Sequence, residues 1–513
     1  MKKRKTKEKI LAKIVRDRYQ YPSLGSVCCF QKTNDCCAQR RAKSNFPLLF
    51  NFVHTFSQNL LQSGKRFDIM KGNEAHKRGI TMAEKLSMQP YKGTRDFYPQ
   101  EMKLRNWFFG VIRRELEKAA FDEYNGPMLE SLELYAAKSG EEIANKQTYN
   151  FMDRGDRHLA IRPEMTPTVA RMVAAKMGEL SFPLKWFSIP NMYRYEATQR
   201  GRLREFWQLN VDIFGCNTYE ADLEVITSAI RIMCAYGADE TMFTVRINNR
   251  RFFNDVVAAI TGKDAEGSRQ VSKVIDRKNK VTRESYEKDL TALGLTAEQI
   301  AQIDALYTMS VEEATALCPD SVGSQELLSL FAALRKLNLE KYCIFDFGII
   351  RGLDYYTGTV FEVFDNAPEN NRAMFGGGRY DNLVDLFVKN ARISGVGYGM
   401  GDVTLENFLV THNLIPASFG SDVKVLVTRF DDVPYEAYTS LVEDLRNADI
   451  VSSVYLGQKK FGKQLEYAVK GEYSHAIIMG GDEYARGVVR LKNLATREEK
   501  EIAIGDLVQE LQA

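Results

Sequence analysis

Histidine is scarce in this chain of 513 residues, limited to His54, His76, His158, His412 and His475. These five lie far apart and share no metal-ligand spacing. That argues against a zinc centre and against a histidine-based nucleophilic triad, so no resident metal site is expected. Cysteine is sparse too. Cys216, Cys234, Cys318 and Cys343 are scattered beside apolar residues and read as small core residues of a protein kept in a reducing compartment, the cytoplasm. Cys28, Cys29, Cys36 and Cys37 sit near the start, in a Cys-Cys-x6-Cys-Cys spacing that is not a usual zinc pattern. No apolar run approaches the ~18 residues of a membrane span, so no membrane partner is expected.

Charge is unevenly spread. The formal net charge is +3, yet residues 1–81 carry 18 Lys+Arg against 5 Asp+Glu, leaving 52 against 62 for the rest. An acidic body binds nucleic acid only through local basic patches. The opening MKKRKTKEKILAKIVRDR suits a basic helix, but CCF, NDCCAQRR and LLFNFVHTF give no clean period. Acids are few there, as in an organellar targeting peptide, but serine is not enriched and Glu8 and Asp17 intrude. Residues 1–81 are therefore expected to be a poorly ordered basic extension. It is either an RNA-binding arm or a stretch lying upstream of a native start at Met82. The length implies more than one domain, and 44% hydrophobic with 27% charged residues is an ordinary globular composition.

The chain is organised around Tyr193–Gly215, YRYEATQRGRLREFWQLNVDIFG. At a period of two, Arg204, Phe206, Gln208, Asn210 and Asp212 share one face, and Trp207, Leu209, Val211 and Ile213 the other. A preceding strand, about Leu184–Tyr195, places Arg194 and Glu196 on one side. A polar loop, Ala197–Leu203, carries Arg200 and Arg202. The segment reads as an antiparallel hairpin with a charged floor and a basic tip. Arginine forks suit phosphate oxygens. A solvated face whose Arg and Glu residues pair with one another has the same pattern. Two further segments shift the balance: Arg351–Val363, RGLDYYTGTVFEV, and Phe375–Leu383, FGGGRYDNL.

With these segments, the chain from about Met88 onward resembles the histidyl-tRNA synthetases, a family of class II aminoacyl-tRNA synthetases. The Arg194–Glu196 hairpin resembles motif 2, and the other two segments resemble the family's signatures, in the family's order. The resemblance implies an α/β (α+β) fold: an antiparallel sheet flanked by helices, a helical insertion and a C-terminal α/β anticodon-binding domain. It implies a catalytic domain over residues 82–415, the insertion at about 250–341, and the anticodon-binding domain over 422–513.

Other stretches fit that division. KGTRDFYPQEM, from Lys92, reads as a helix start with Asp96 as cap and Pro99 in the first turn. Trp107, Phe108, Val111, Ile112 and Leu116 then recur at helical spacing. This helix and the strand after it resemble class II motif 1, which implies a homodimer; a helix on its own core has the same pattern. Arg277–Arg283 in the insertion is either a phosphate contact or a solvated face. The stretch from Val423 alternates strand and helix, as a compact α/β domain with a mostly parallel core does, and Lys459, Lys460 and Lys463 cluster in it.

Carried residue by residue, the resemblance implies a histidine site of Glu164, Met165, Thr166, Arg194, Gln208, Asp212, Arg351, Tyr355 and Tyr356. It implies ATP contacts from Arg194, Glu196, Arg202 and Arg351, with Arg194 and Arg351 as the catalytic cations, and Mg²⁺ arriving with ATP. The residue types suit those roles. A carboxylate such as Glu164 partners an ammonium. A neutral imidazole offers one donor and one acceptor, which tyrosine hydroxyls and the Gln208 amide can match. Two departures stand out. Met165 replaces a small residue or Leu. In the segment resembling motif 3, ISGVGYGMGDVTL, Thr404 stands where class II enzymes usually carry an ATP-touching Arg and Val403 where an acid is common. The implied activity is ATP-dependent histidine activation and transfer to tRNA(His). The alternative is a non-catalytic, histidine-binding regulatory subunit of histidine biosynthesis. Retention of Arg351 and of the region after Asp422 favours the ligase. An RNA-binding module without chemistry would leave the hairpin, the Tyr pair and the triple Gly unexplained.

Overall fold

The computed structural model describes residues 87–136, 147–275, 277–278, 281–349, 356–370, 372–419 and 423–512. The basic extension of residues 1–81, Arg351 and Tyr355 lie outside them. The chain divides into two units, Met1–Pro90 and Tyr91–Ala513, and everything below concerns the second.

The strands before residue 402 are, in chain order, β1 (Asp122–Glu123), β2 (Leu129–Ser131), β3 (Asn150–Met152), β4 (His158–Ile161), β5 (Leu184–Ser188), β6 (Asn191–Tyr193), β7 (Glu205–Phe214), β8 (Phe243–Asn249), β9 (Cys343–Phe345), β10 (Thr359–Asp365), β11 (Ala373–Tyr380) and β12 (Gly395–Gly401). Among the described residues, nine of them form one sheet in the order β1-β5-β7-β12-β11-β10-β8-β9, with β6 also paired to β7. Its outer pairs, β1/β5 and β8/β9, are parallel and the rest antiparallel. A smaller antiparallel sheet runs β2-β4-β3.

Directly opposed residues of an antiparallel pair share a face, and the registers separate two unlike faces. Leu209, Val211 and Ile213 of β7 oppose Met400, Tyr398 and Val396 of β12. Phe375, Phe361, Val363, Val245 and Ile247 continue that face into a single core. Helix Tyr219–Ala235 covers it with Val225, Ile226, Ala229, Ile230 and Met233. Each such buried side chain contributes about 1.5–3 kcal/mol. On the other face Gln208, Asn210 and Asp212 oppose Gly401, Gly399 and Gly397. Gly399 and Gly397 in turn oppose Gly376 and Gly378. Beyond the glycines come Glu362 and Val360, then Arg246 and Asn248. This second face is a glycine floor, walled by Gln208, Asn210 and Asp212 on one side and by Glu362 and Val360 on the other.

Several local expectations need correction. The strand expected over Leu184–Tyr195 is broken into β5 and β6 at Ile189-Pro190, because Pro190 has no N–H for the ladder. Helix Pro99–Lys118 starts with Pro99 in its first turn, but Tyr98 is its N-cap and no side chain caps it, so Asp96 does not serve. Phe108, Val111, Ile112 and Leu116 are its buried stripe. The insertion is helical: Arg250–Thr261, Ala265–Ile275, Arg283–Ala292, Ala297–Ala305, Val311–Thr315 and Val322–Lys336. Its apolar residues, Val256, Leu290, Ile303 and Leu327 among them, join the core of the main sheet rather than forming their own. A Cβ on Gly323 would lie 2.1 Å from the Phe252 backbone nitrogen, so two of these helices meet at backbone contact.

After residue 422, β13 (Lys424–Val427), β14 (Val451–Val454), β15 (His475–Ile478), β16 (Val488–Asn493) and β17 (Glu499–Ala503) form a sheet ordered β14-β13-β15-β16-β17. Its first three strands are parallel and the last two antiparallel. Its apolar side chains make a core of their own.

Candidate active site

The floor is empty of side chains because the walls need the space. A Cβ on Gly399 would come within 2.5 Å of Gln208 Nε2, and one on Gly397 within 2.6 Å of Asp212 Oδ1. One on Gly378 would lie 3.1 Å from the Tyr356 ring. Gln208, Asp212 and Tyr356 thus each reach over a glycine of a neighbouring strand.

Asp212 is the deepest of them, 1% exposed. Its Oδ1 accepts from the Tyr380 hydroxyl, whereas Oδ2 makes no regular hydrogen bond, although the buried Tyr124 hydroxyl lies near the carboxylate. Burial pushes this carboxyl up to about 7, against the pull of the Tyr380 and Tyr124 hydroxyls. Burial also drives the Tyr356 hydroxyl well up, with smaller contributions from the Glu164 and Asp212 carboxylates, so the three groups sense one another. Gln208 Nε2 donates to Asn210 Oδ1 at 2.6 Å, and Asn210 Nδ2 donates to Thr166 Oγ1 at 3.4 Å.

Glu164 is buried, 3% exposed, at the end of the Arg162-Pro163-Glu164 run. Arg162 fixes that run. Its Nε donates to the Asn191 carbonyl at 2.9 Å and its Nη1 to the Gly126 carbonyl at 2.7 Å. Met165 is fully buried, and its Cε would be 2.8 Å from a Cβ on Gly126. Its thioether is spent on packing against that loop. Arg194 Nε donates to the Pro163 carbonyl at 2.9 Å, and the guanidinium lies 5.3 Å from the centre of the Phe206 ring. Among the described residues no acceptor engages its terminal nitrogens. Arg202 Nη1 donates to Glu196 Oε2 at 3.3 Å. The structure therefore gathers Glu164, Thr166, Arg194, Gln208, Asp212 and Tyr356 on one side of the sheet and sets Glu196 and Arg202 on the loop above.

Arg204 does not join the floor. It precedes β7, and its Nη1 donates to the Tyr91 hydroxyl at 2.6 Å while the guanidinium covers the Tyr195 ring. Three described cations of the Arg277–Arg283 segment are already paired: Arg277 with Asp289 at 3.3 Å, Lys278 with Asp304 at 2.7 Å, Arg283 with Asp304 at 2.6 Å. Sequence reasoning missed Arg162, Tyr124 and Tyr380. Arg379 is 1% exposed on the core side, where it grips Asp222 at 2.7 Å and the carbonyls of Cys216 and Thr218 at 2.9 Å.

Under the loop Gln199–Arg202 lies a cleft of about 1550 Å³, lined among others by Arg246, Glu362, Arg372, Met374 and Thr404. Thr404 Oγ1 donates to the Met374 carbonyl at 2.8 Å, so it is occupied structurally.

An antiparallel sheet carrying an arginine hairpin over an open polar face is the catalytic architecture of class II aminoacyl-tRNA synthetases. The family model described as histidyl-tRNA synthetase matches residues 93–402, and the anticodon binding domain model matches residues 422–513. The chain therefore belongs to the histidyl-tRNA synthetase family. It is 42% identical over 432 residues to a histidine–tRNA ligase of Leptospira biflexa, covering 83% of this chain and 98% of that one. In fold it is similar to a crystal structure of histidyl-tRNA synthetase from Nostoc, with TM-score 0.71 and 24% identity over 83% of this chain and 99% of that one. A Bacillus halodurans structure described as an ATP phosphoribosyltransferase regulatory subunit/histidyl-tRNA synthetase has TM-score 0.65 and 23% identity, over 78% of this chain and 100% of that one.

Proposed function

We propose that this chain is a histidine–tRNA ligase. Histidine's carboxylate attacks the α-phosphorus of ATP, giving histidyl-adenylate and pyrophosphate. The 3′-terminal ribose hydroxyl of tRNA(His) then attacks the histidyl carbonyl carbon, breaking the acyl–phosphate bond and releasing AMP. The observation that carries this reading is the glycine floor with Glu164, Gln208, Asp212 and Tyr356 on one side of it and Arg194 at its edge. Glu164 receives the ammonium. Asp212, held near neutrality, can accept from or donate to an imidazole nitrogen, and Gln208 and Tyr356 orient the ring. Arg194 turns its terminal nitrogens to the charge that builds on the α-phosphate, a preorganised cation whose loss costs about 3 kcal/mol of activation. Arg351 and Tyr355 join this set through the family resemblance. Glu196 and Arg202 serve ATP from the loop.

Mg²⁺ comes with ATP. Among the described residues no group of three carboxylate, histidine or cysteine side chains is arranged to hold a metal. Glu362 lines the cleft on the floor side. That donor set fits an ion ligated mainly by the nucleotide's own phosphates, whose charge it neutralises. The protein works in the cytoplasm as a homodimer. Exposed Met128, Leu129, Phe151 and Met152, in and beside the β2-β4-β3 sheet, supply apolar surface for the partner, and sedimentation velocity should give twice the chain mass. Histidine-dependent ATP–pyrophosphate exchange tests the ligase reading. Histidine binding without exchange would point to a regulatory subunit instead.

A further inference from the structure

Four arginines line the cleft: Arg200, Arg202, Arg246 and Arg372. Two have carboxylate partners. Arg202 is within 3.3 Å of Glu196, and Arg246 lies 3.0 Å from Asp346 with its guanidinium over the Phe364 ring. Among the described residues, Arg200 and Arg372 have no carboxylate within ion-pair reach. Arg200 sits at the tip of the loop, inside the turn closed by the Gln199–Arg202 bridge. Arg372 sits on the hairpin between β10 and β11, and the hydrogen bond found for its side chain, Nη1 to Gln199 Oε1 at 3.3 Å, leaves its charge uncompensated.

That hairpin is held rigidly by helix Asp402–Thr411. At the helix start, Thr404 Oγ1 donates to the Met374 carbonyl at 2.8 Å. At its end, Asn370 Nδ2 donates to Thr411 Oγ1 at 3.3 Å, and His412 Nε2 lies 2.8 Å from Asp365 Oδ1. Asp365 also accepts from the Ala367 backbone N–H at 2.8 Å and from Asn370 Nδ2 at 2.6 Å. Attachments on both sides of Arg372 fix where its side chain begins. An uncompensated guanidinium carried by an anchored hairpin into a roomy cleft suits a polyanion.

We propose that Arg372 binds the polyphosphate of ATP, supplying from the hairpin a cation that the helix itself, with Thr404, does not provide. The inference rests on the ligase reading for its ligand. It is tested on the full chain with Arg372→Ala and Arg372→Lys, by calorimetric titration with α,β-methylene-ATP and with AMP, each with Mg²⁺, alongside exchange kinetics. The alanine variant should bind the ATP analogue about tenfold more weakly, the loss expected for a hydrogen bond to a charged group. AMP affinity and the KM for histidine should barely change, and lysine should restore part of the loss. Unchanged analogue affinity overturns the proposal. So does equal weakening of AMP, which would mark a structural role, or a defect confined to the KM for tRNA, which would place an RNA phosphate there. Wild-type protein that binds the analogue but shows no histidine-dependent exchange would count against the ligase reading, while Arg372 would still be judged by the titrations.

Discussion

Asp212 shows what the proposed histidine site costs in stability. Its carboxyl is buried with one oxygen lacking a regular partner, and burial has moved its titration to about 7. Between the ordinary carboxylate range and that value, the folded chain keeps a proton that the unfolded chain has released. Stability must therefore fall as pH rises through this window and level off above it. Asp212→Asn removes the titration. Urea unfolding of the unliganded variant should lack this slope and show greater stability at pH 8, by about 1–3 kcal/mol, the cost of a poorly satisfied buried group. Histidine-dependent exchange should be lost. A variant less stable than wild type at pH 8 would show that Oδ2 is well satisfied after all. Arg379 is the opposite case, a buried charge spent on architecture. Replacing it by Leu strands Asp222 and should cost about 3–5 kcal/mol in the same assay, a destabilisation typical of breaking a buried pair.

The elements carry these residues in a pattern only partly legible from the sequence. The alternation in β7 was readable because a strand's side chains must alternate, and Gln208, Asn210 and Asp212 do share a face. Arg204 was misread because the strand begins only at Glu205, and nothing in the local pattern announces that start. In β11 the same period separates Tyr380, on the floor side with Gly376 and Gly378, from Arg379 on the core side. That alternation is present in GGGRYD itself. What sequence could not supply was the partner, since Asp222 is 157 positions away. The glycines differ one by one, since Gly397 and Gly376 of the floor also back onto neighbouring carbonyls, at 2.2 and 2.6 Å. An alanine at position 399 meets the end of a movable Gln208 side chain, whereas at position 377 it meets the Gly397 carbonyl at 2.1 Å. Gly399→Ala should therefore keep its melting temperature and raise the KM for histidine, while Gly377→Ala should lower the melting temperature. Equal thermal loss in both variants would show that Gln208 cannot move aside and that position 399 is no more forgiving than position 377.

On the scale of the whole molecule, the two largest hydrophobic cores among the described residues lie one under the large sheet and one in the domain after residue 422, with two smaller clusters beside them. That the stretch from Val423 packs around a core of its own was legible because strand–helix alternation resumes there after a Pro- and Gly-containing linker. That the helical insertion shares the first core was not legible, because its modestly apolar helices look the same whether they pack on each other or on the sheet. The cores bear on what the C-terminal domain contributes. The Lys103–Glu472 ion pair joining the two parts is 3.6 Å long between half-exposed side chains, a contact worth about 1 kcal/mol at most. A chain ending at Phe419 keeps the Trp107–Phe419 ring contact and the whole first core. It should fold, and its histidine-dependent pyrophosphate exchange should stay near that of the full chain, because the site proposed for adenylate formation is built from the floor, the loop and the cleft. Charging of tRNA should fall at least about tenfold, since a two-region grip on the RNA becomes a one-region grip. Loss of exchange in a soluble, folded fragment would mean that the C-terminal domain acts on the catalytic face, a coupling for which the separate cores give no physical route.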